Sequence, residues 1–281
     1  MRRDDGEEYD APIEASQFAP SPGDDHGAVT GYAGADKAKA ALVCQAFVEG
    51  AGGGRVLQPP PRFLATGGAA FFGVTEATQA LWRQAKAEGR DWFYLDNAYF
   101  DVARGRLFRA ARNAVQATGN EPPDWARLAA LGIGIQPWRR QGRHVLLIAQ
   151  SATHMRVVAG QRDDWWREAM AVLRRHTDRE IVLRGWRSDK RALATTLPEA
   201  LRDCWAVVTW SSAAANEALL AGVPVFTAGP CAAAGLGLAD LTRIETPSYP
   251  DGRAAWAAAL AGRQWTLDEI RAGQAWRTLH S

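Results

Sequence analysis

Two adjacent hydroxyl side chains, Ser211 and Ser212, stand at the most informative position of this 281-residue sequence. They follow the apolar run 206–210 and precede an alanine-rich stretch that ends at Gly222. This order predicts a buried strand, a tight turn, and a helix with a serine N-cap and a glycine just past its end. In a parallel sheet such a helix begins at the carboxyl edge, where its backbone N–H groups bind an anion, most often a phosphate. Glu217, about a turn and a half into the helix, then carries a carboxylate suited to ribose hydroxyls.

Three further loops are predicted at the same edge, because each follows an apolar, strand-like run. Arginine clamps a phosphate with two parallel hydrogen bonds, and histidine can contact a phosphate or a leaving group. A loop of small residues also lets a ligand approach the backbone. The loops therefore predict a pocket for a nucleotide phosphate, with the alternative that these are ordinary surface side chains and the serines only cap the helix. The further candidates are Gln150, Ser151, His154, Arg184, Arg187, Lys190 and Gly229.

Strands and helices must alternate from residue 143 onward to position these loops. Apolar runs predict the strands, and amphipathic or alanine-rich stretches predict the helices, which is the rhythm of a parallel α/β sheet. Thr266 and Glu269 have the spacing of a capping box, which starts a C-terminal helix that runs to about residue 277. The predicted strands are 144–149, 181–184, 206–210 and 223–227, and the predicted helices are 163–176, 197–204 and the stretch after Ser212.

A shorter α/β domain is predicted in the first half of the chain. Helices at 36–50 and 75–89 are followed by a buried strand at 92–95. Residues 107–115 fit a strand or a helix. The predicted divisions are a tail at 1–30, a first α/β domain at 31–120, a linker with one short helix at 121–142, a second, Rossmann-like domain at 143–264 and a C-terminal helix at 265–281.

Asp96 directly follows the strand at 92–95 and is the best candidate for a general base. At the end of a strand its carboxylate can accept the proton of a substrate hydroxyl. An Asp that only caps the next turn is an equally good explanation. The candidate contacts for the substrate that supplies this hydroxyl are Gly67, Gly68, Asn97, Tyr99, Arg109 and Arg112.

Charge is distributed unevenly along the chain. Residues 1–30 hold eight acidic side chains and two arginines, a net charge of −6; since the whole chain is +2, the remainder is +8. This composition predicts a disordered acidic tail on a basic body. The three cysteines, Cys44, Cys204 and Cys231, lack the spacing of metal ligands and predict reduced thiols. No apolar run is long enough to span a bilayer and no signal-peptide core is present, which predicts a cytoplasmic protein without an integral membrane segment.

The strand, serine turn, helix with an internal Glu217 and the sequence Gly222-Val223-Pro224-Val225 together resemble the donor-binding half of GT-B glycosyltransferases. They are most similar to the capsular-polysaccharide group that includes the Kdo transferases, over residues 143–280. The resemblance implies two Rossmann-like domains facing a cleft, with the C-terminal helix crossing back to the first domain. It also implies a nucleotide-sugar donor as co-substrate, no cofactor and no essential metal. In this scheme the arginines and serines hold the phosphate, His154 contacts the leaving group and Asp96 activates the acceptor.

The acceptor stays open between a saccharide and a hydroxymethylated base in DNA, which small phage enzymes of this fold modify. The basic segment 104–112 permits either one, because it can bind a carboxylated or sulfated glycan as well as phosphates. A UDP-sugar epimerase-like enzyme and a non-catalytic nucleotide-binding module are the alternatives from other classes. The sequence lacks the glycine-rich dinucleotide fingerprint, the P-loop, the Gly-x-Ser-x-Gly elbow, a His/Cys cluster and an Asp-x-Asp motif.

Overall fold

The computed structural model describes residues 29–100, 105–185 and 195–281. The chain divides into two compact units. The first comprises the described residues of Met1–Ala98, Val102–Gln116 and Arg263–Ser281, and the second those of Tyr99–Asp101 and Ala117–Gly262. Residues 121–142, which the sequence predicts as a linker, thus belong to the second unit, and the C-terminal residues belong to the first. Of the tail predicted at 1–30, residues 1–28 lie outside the described residues.

Both units combine a mainly parallel sheet with helices, as the α/β prediction requires. In chain order the strands are β1 (Val29–Tyr32), β2 (Gly54–Leu57), β3 (Ala69–Phe72), β4 (Trp92–Asn97), β5 (Leu107–Arg112), β6 (His144–Ile148), β7 (Glu180–Arg184), β8 (Cys204–Thr209), β9 (Val225–Thr227) and β10 (Gln264–Thr266). The α-helices are α1 (Ala38–Gly50), α2 (Gln79–Ala87), α3 (Trp125–Ala130), α4 (Trp165–His176), α5 (Leu197–Ala200), α6 (Ala214–Leu220), α7 (Arg253–Ala261), α8 (Leu267–Arg271) and α9 (Gln274–His280).

The sheet of the first unit has the order β10-β5-β4-β3-β1-β2. Its strands β2, β1, β3 and β4 pair in parallel, whereas β5 and β10 are antiparallel to their neighbours. Helix α1 buries an apolar face of Val43, Cys44, Phe47 and Val48. Gly31 allows β1 to come close to this helix, since a Cβ there would lie 3.0 Å from the Cβ of Cys44. Burial raises the pKa of the Cys44 thiol to about 12, which keeps it neutral.

The sheet of the second unit is fully parallel, in the order β7-β6-β8-β9. The central strands β6 and β8 are almost entirely buried, which explains why they appear in the sequence as continuous apolar runs. Helix α4 packs on one face with Ala169 and Leu173, and the alanine-rich helices α6 and α7 lie in the core that also contains Val207 and Val225.

Several local predictions differ from the structure. The tail predicted to end at residue 30 is two residues too long, because Val29 and Thr30 are buried in β1. The helix predicted at 197–204 ends at Ala200, since the chain turns and Cys204 already begins β8. Gly273 has a left-handed φ of 77° and divides the predicted C-terminal helix into α8 and α9. The capping box at Thr266 and Glu269 is confirmed.

Within the described ranges, no helix has both the length and the apolar character that crossing a membrane requires.

Candidate functional site

The carboxyl ends of the second unit's strands lie in register. Ile148 of β6 is paired with Arg184 of β7 and with Thr209 of β8, and Thr209 is paired with Thr227 of β9. The loops that follow these four strands therefore begin side by side at one edge of the sheet, where open α/β sheets bind ligands.

Ser211 is the centre of a polar cluster at this edge. Gln150 Oε1 accepts the backbone N–H of Ser211 at 2.9 Å, and Gln150 Nε2 donates to Ser211 Oγ at 3.0 Å. The His154 Nε2 lies 3.1 Å from the same Oγ. Ser211 is buried, whereas Gln150 and His154 are half-buried. The structure thus brings together three residues that the sequence places in two separate loops.

The hydrogen-bond pattern limits where the Ser211 hydroxyl proton can point. Because Gln150 Nε2 donates to Oγ, the hydroxyl can donate to His154 Nε2 or, at 3.3 Å, to Gln150 Oε1. When the His154 imidazole is protonated on both nitrogens, Nε2 becomes the donor instead. A proton can therefore be held at or moved through His154 Nε2 without any change of backbone.

A short π-helix, His154–Val158, carries the histidine. Its first turn is fixed by Ser151, whose Oγ accepts the backbone N–H of His154 at 3.1 Å, and by Met155, which is buried. Single π-helical turns are frequent at functional sites, where they redirect a side chain. Ser151 therefore helps to position His154.

The second serine, Ser212, lies two residues before the start of helix α6, and the N-cap residue is Ala213 rather than a serine. Ser212 Oγ accepts the backbone N–H of Ala214 at 3.3 Å, while Ser211 is turned toward Gln150. The predicted serine N-cap is therefore wrong by one or two residues. Across the described part of the chain, the backbone N–H groups of Ser212 and Ala213 have no acceptor. Glu217 lies in the first turn of this helix and is half-buried.

Arg184 ends β7, and its guanidinium Nη1 donates to the carbonyl of Thr195 at 2.8 Å. Arg187 and Lys190, which the sequence assigns to the same loop, lie outside the described residues. The register of β7 with β6 places Arg184 at the edge that also holds Gln150.

Gly229, which the sequence predicts as a place where a ligand approaches the backbone, has a packing role in the structure. It is buried, and a Cβ there would lie 2.2 Å from Nε1 of Trp210. The indole of Trp210 occupies this space and meets the ring of Trp165 edge-on, with 5.6 Å between centroids. The glycine is therefore required by the packing of Trp210, which directly precedes Ser211.

We expect Gly229→Ala to destabilise the protein by about 1–3 kcal/mol, because the added methyl forces the indole of Trp210 out of its position. The free energy of unfolding in urea measures this effect. Gly235→Ala in the same loop is the matched control: nothing lies within 4 Å of its added Cβ. An equal loss of stability in both variants would show that Trp210 is not the reason.

At the carboxyl edge of the first unit's sheet, Asp96 and Asn97 end β4 and lie beside Arg109 of β5. The Asp96 Oδ2 accepts from Arg109 Nη2 at 3.0 Å, and Oδ1 accepts the backbone N–H of Asn97 at 2.7 Å. Arg109 is 7% exposed, so Asp96 neutralises a cation that is almost buried. The Asn97 Oδ1 in turn accepts from Lys39 Nζ at 2.8 Å. Lys39 was not predicted, and no local signal connects it with residues 58 positions away.

Other predicted acceptor contacts lie elsewhere in the first unit. Arg112 of β5 is paired with Asp91, which precedes β4, at 2.6 Å. This hydrogen bond holds the pKa of Asp91 below its usual value. Gly68 precedes β3 at the same amino edge, since the N–H of the next residue bonds the carbonyl of Asp91. Gly67 and Gly68 are therefore separated from Asp96 by nearly the length of β4, about 16–20 Å, and the backbone of Arg112 lies three residues along β5 from that of Arg109, about 10 Å.

Tyr99 belongs to the core of the second unit and has no exposed surface. Its hydroxyl accepts the backbone N–H of Ala117 at 2.6 Å, and its carbonyl accepts from the buried Asn216 side chain at 3.2 Å. Because its side chain is enclosed, the prediction that Tyr99 contacts an acceptor is wrong for this structure. Packing in this core explains why an aromatic residue stands at position 99.

Two observations bear on metals and redox chemistry. The residues that the structure describes contain no group of three or more His, Cys, Asp or Glu side chains that could hold a metal ion. The three cysteines are not joined in disulfides, and burial raises the pKa of the Cys204 thiol to about 12.

The comparisons with known proteins agree with this architecture. No family model and no curated protein matches the sequence. Two solved structures from Thermosulfurimonas dismutans are similar to the chain. KpsC, beta Kdo 2,4 transferase, is 14% identical with a TM-score of 0.55, covering 88% of this chain and 99% of that one. KpsC, beta Kdo 2,7 transferase, is 13% identical with a TM-score of 0.52, covering 89% and 99%. At this identity the likeness establishes the fold, which the chain shares over nearly its whole length.

Proposed function

We propose that the chain is a glycosyltransferase of the GT-B type that moves a sugar from a nucleotide-sugar donor to an acceptor hydroxyl. The observation that carries this proposal is the Gln150–Ser211–His154 cluster at the carboxyl edge of a parallel sheet in this fold. A donor of this class needs hydroxyl and N–H donors for its phosphate and a group that handles charge on the leaving nucleotide. Ser211, His154 and the turn at Ser212 have these chemical properties.

On the donor side, Ser212, Arg184, Arg187 and Lys190 contact the phosphate in this proposal, and Glu217 accepts from the ribose hydroxyls. His154 donates to the phosphate oxygen as the bond between the sugar and that oxygen breaks, so that charge does not build up on the leaving nucleotide. Gln150 and Ser151 keep Ser211 and His154 in place, since Gln150 donates to Ser211 Oγ and Ser151 Oγ accepts the backbone N–H of His154.

On the acceptor side, Asp96 accepts the hydroxyl proton as the acceptor oxygen bonds to the anomeric carbon. Asn97 and Arg109 fix both carboxylate oxygens, which reduces the rotational freedom of the base. The reaction needs no metal in this scheme, because the cationic and N–H groups stabilise the leaving phosphate.

A saccharide is the acceptor class that we favour. The two similar structures from Thermosulfurimonas dismutans are named as beta Kdo transferases. The prediction of a DNA acceptor relied on the basic segment 104–112. In the structure, Arg109 is paired with Asp96 and Arg112 with Asp91, near opposite ends of β4. The segment therefore does not form a continuous phosphate-binding surface with these two arginines.

A donor screen tests the proposal directly. The purified full chain is incubated with UDP-, GDP-, ADP-, dTDP- and CMP-sugars, CMP-Kdo included, with and without acceptors. The acceptors are acidic oligosaccharides and duplex DNA that contains 5-hydroxymethylated pyrimidines. Released nucleotide, acceptor mass, the identity of the donor sugar and the binding of each donor are measured, and EDTA is added in a parallel series to test the need for a metal.

The outcomes separate the candidate functions. Nucleotide release with a mass gain on a saccharide supports the proposal. A mass gain on DNA keeps the transferase but replaces its acceptor. Conversion of the donor sugar without an acceptor indicates an epimerase, and binding without turnover indicates a nucleotide-binding module. Absence of binding to every donor would overturn the proposal.

A further inference from the structure

Lys39 occupies an unusual place for a cation. It lies in the first turn of α1, where the helix dipole favours acidic side chains and disfavours lysine. Its ammonium lies 5.4 Å from the centroid of the Phe108 ring and 5.9 Å from that of Phe72. A half-buried lysine at a helix N-terminus is locally unfavourable, and such conflicts with local preference are typical of functional sites.

The contacts of Lys39 determine the orientation of Asn97. The ammonium donates to Asn97 Oδ1 at 2.8 Å, so the amide Nδ2 of Asn97 faces Asp96 Oδ1 at 3.4 Å. Without the lysine, Asn97 Oδ1 loses its 2.8 Å donor, and the amide is held toward Asp96 only by the long 3.4 Å contact of its Nδ2, so it gains rotational freedom. Lys39 thus acts on Asp96 through Asn97.

The lysine is not needed to neutralise Asp96. Arg109 already donates to Asp96 Oδ2 at 3.0 Å, and Lys39 donates to Oδ1 of the Asn97 amide. The two contacts therefore fix the positions of the side chains: Lys39 of α1 holds Asn97, and Arg109 of β5 holds Asp96.

We propose that Lys39 is a positioning residue that fixes Asp96, through Asn97, for removal of the acceptor proton; its catalytic part rests on the proposed function. Small displacements of a positioned base cost catalysis heavily, and a 1 Å error can reduce a rate about 100-fold. The lysine does not contact the donor or the reacting atoms in this proposal.

The experiment compares Lys39→Met with Lys86→Met in the full chain. Lys86 also lies in the first unit and against aromatic rings, 4.5 Å from the centroid of Trp82 and 5.9 Å from that of Trp92, on helix α2 and not on α1. The first readout is the ¹H–¹⁵N signal of the Asn97 side-chain amide, assigned by its loss in Asn97→Ser. The second is steady-state kinetics with the donor and acceptor from the screen.

We expect Lys39→Met to shift the Asn97 amide signal and speed its hydrogen exchange, while Lys86→Met leaves both unchanged. We expect kcat to fall about 10-fold with an unchanged KM for the donor, and Lys39→Arg to restore most of the lost kcat.

An unchanged Asn97 signal overturns the proposal whether or not the chain is a transferase. A shifted signal with unchanged kcat overturns the catalytic part. If the signal shifts but the chain turns over no donor, Lys39 still positions Asn97. The failed turnover then counts against the transferase function and not against this contact.

Discussion

Asp96→Asn is expected to reduce the rate of transfer at saturating donor at least about 100-fold, within the range that a general base contributes. Asparagine has nearly the size of aspartate and can still accept the backbone N–H of Asn97, but it cannot take up the acceptor proton. The measurement is kcat from nucleotide release, together with the KM for the donor, which should change little because the donor site lies in the second unit.

Asp91→Asn is the matched control for this substitution. Asp91 directly precedes β4, Asp96 lies next to its last residue, and each carboxylate is paired with an arginine of β5. Both variants therefore weaken one ion pair of the first unit, but only Asp96 lies at the carboxyl edge. Since Arg109 is nearly buried, Asp96→Asn also leaves a cation without its carboxylate, so melting temperatures are recorded and assays are run well below them. Equal kcat values for the two variants would remove Asp96 as the base.

The second unit could be largely predicted from its sequence. Its central strands β6 and β8 are buried apolar runs, and the parallel topology brings the carboxyl ends of the strands to one edge. Gln150 and His154 therefore meet Ser211 although 57 to 61 residues separate them from it. The topology does not reveal how the polar atoms pair. Ser211 forms its hydrogen bonds with Gln150 and not with the helix, and Gly229 leaves space for the indole of Trp210. Both features depend on side-chain contacts between loops, which the order of strands and helices does not determine.

The first unit was less predictable because an antiparallel strand determines its site. Arg109 and Arg112 are three residues apart on β5, so they lie on opposite faces and near opposite ends of β4. Reversal of strand direction cannot be deduced from a basic segment whose secondary structure is itself ambiguous. Strands β1, β2 and β10 have only three or four residues, too few for a periodic pattern.

His154→Gln is expected to lower kcat about 100-fold while the KM for the donor changes by less than about threefold. The glutamine Nε2 can approach the position of the imidazole Nε2 and donate to Ser211 Oγ, so the cluster keeps a hydrogen bond. An amide cannot deliver a proton to the leaving phosphate, and the loss therefore falls on the transition state and not on the bound donor.

His144→Gln is the control, because His144 begins the strand that precedes His154. Its Nε2 lies 3.0 Å from the carbonyl of Ala200, at the amino edge of the sheet and away from Ser211. It should retain normal kinetics after the same substitution. If His154→Gln instead raises KM and leaves kcat intact, His154 is only a binding contact. The leaving nucleotide must then be stabilised by other groups of this edge, such as the backbone N–H groups of Ser212 and Ala213.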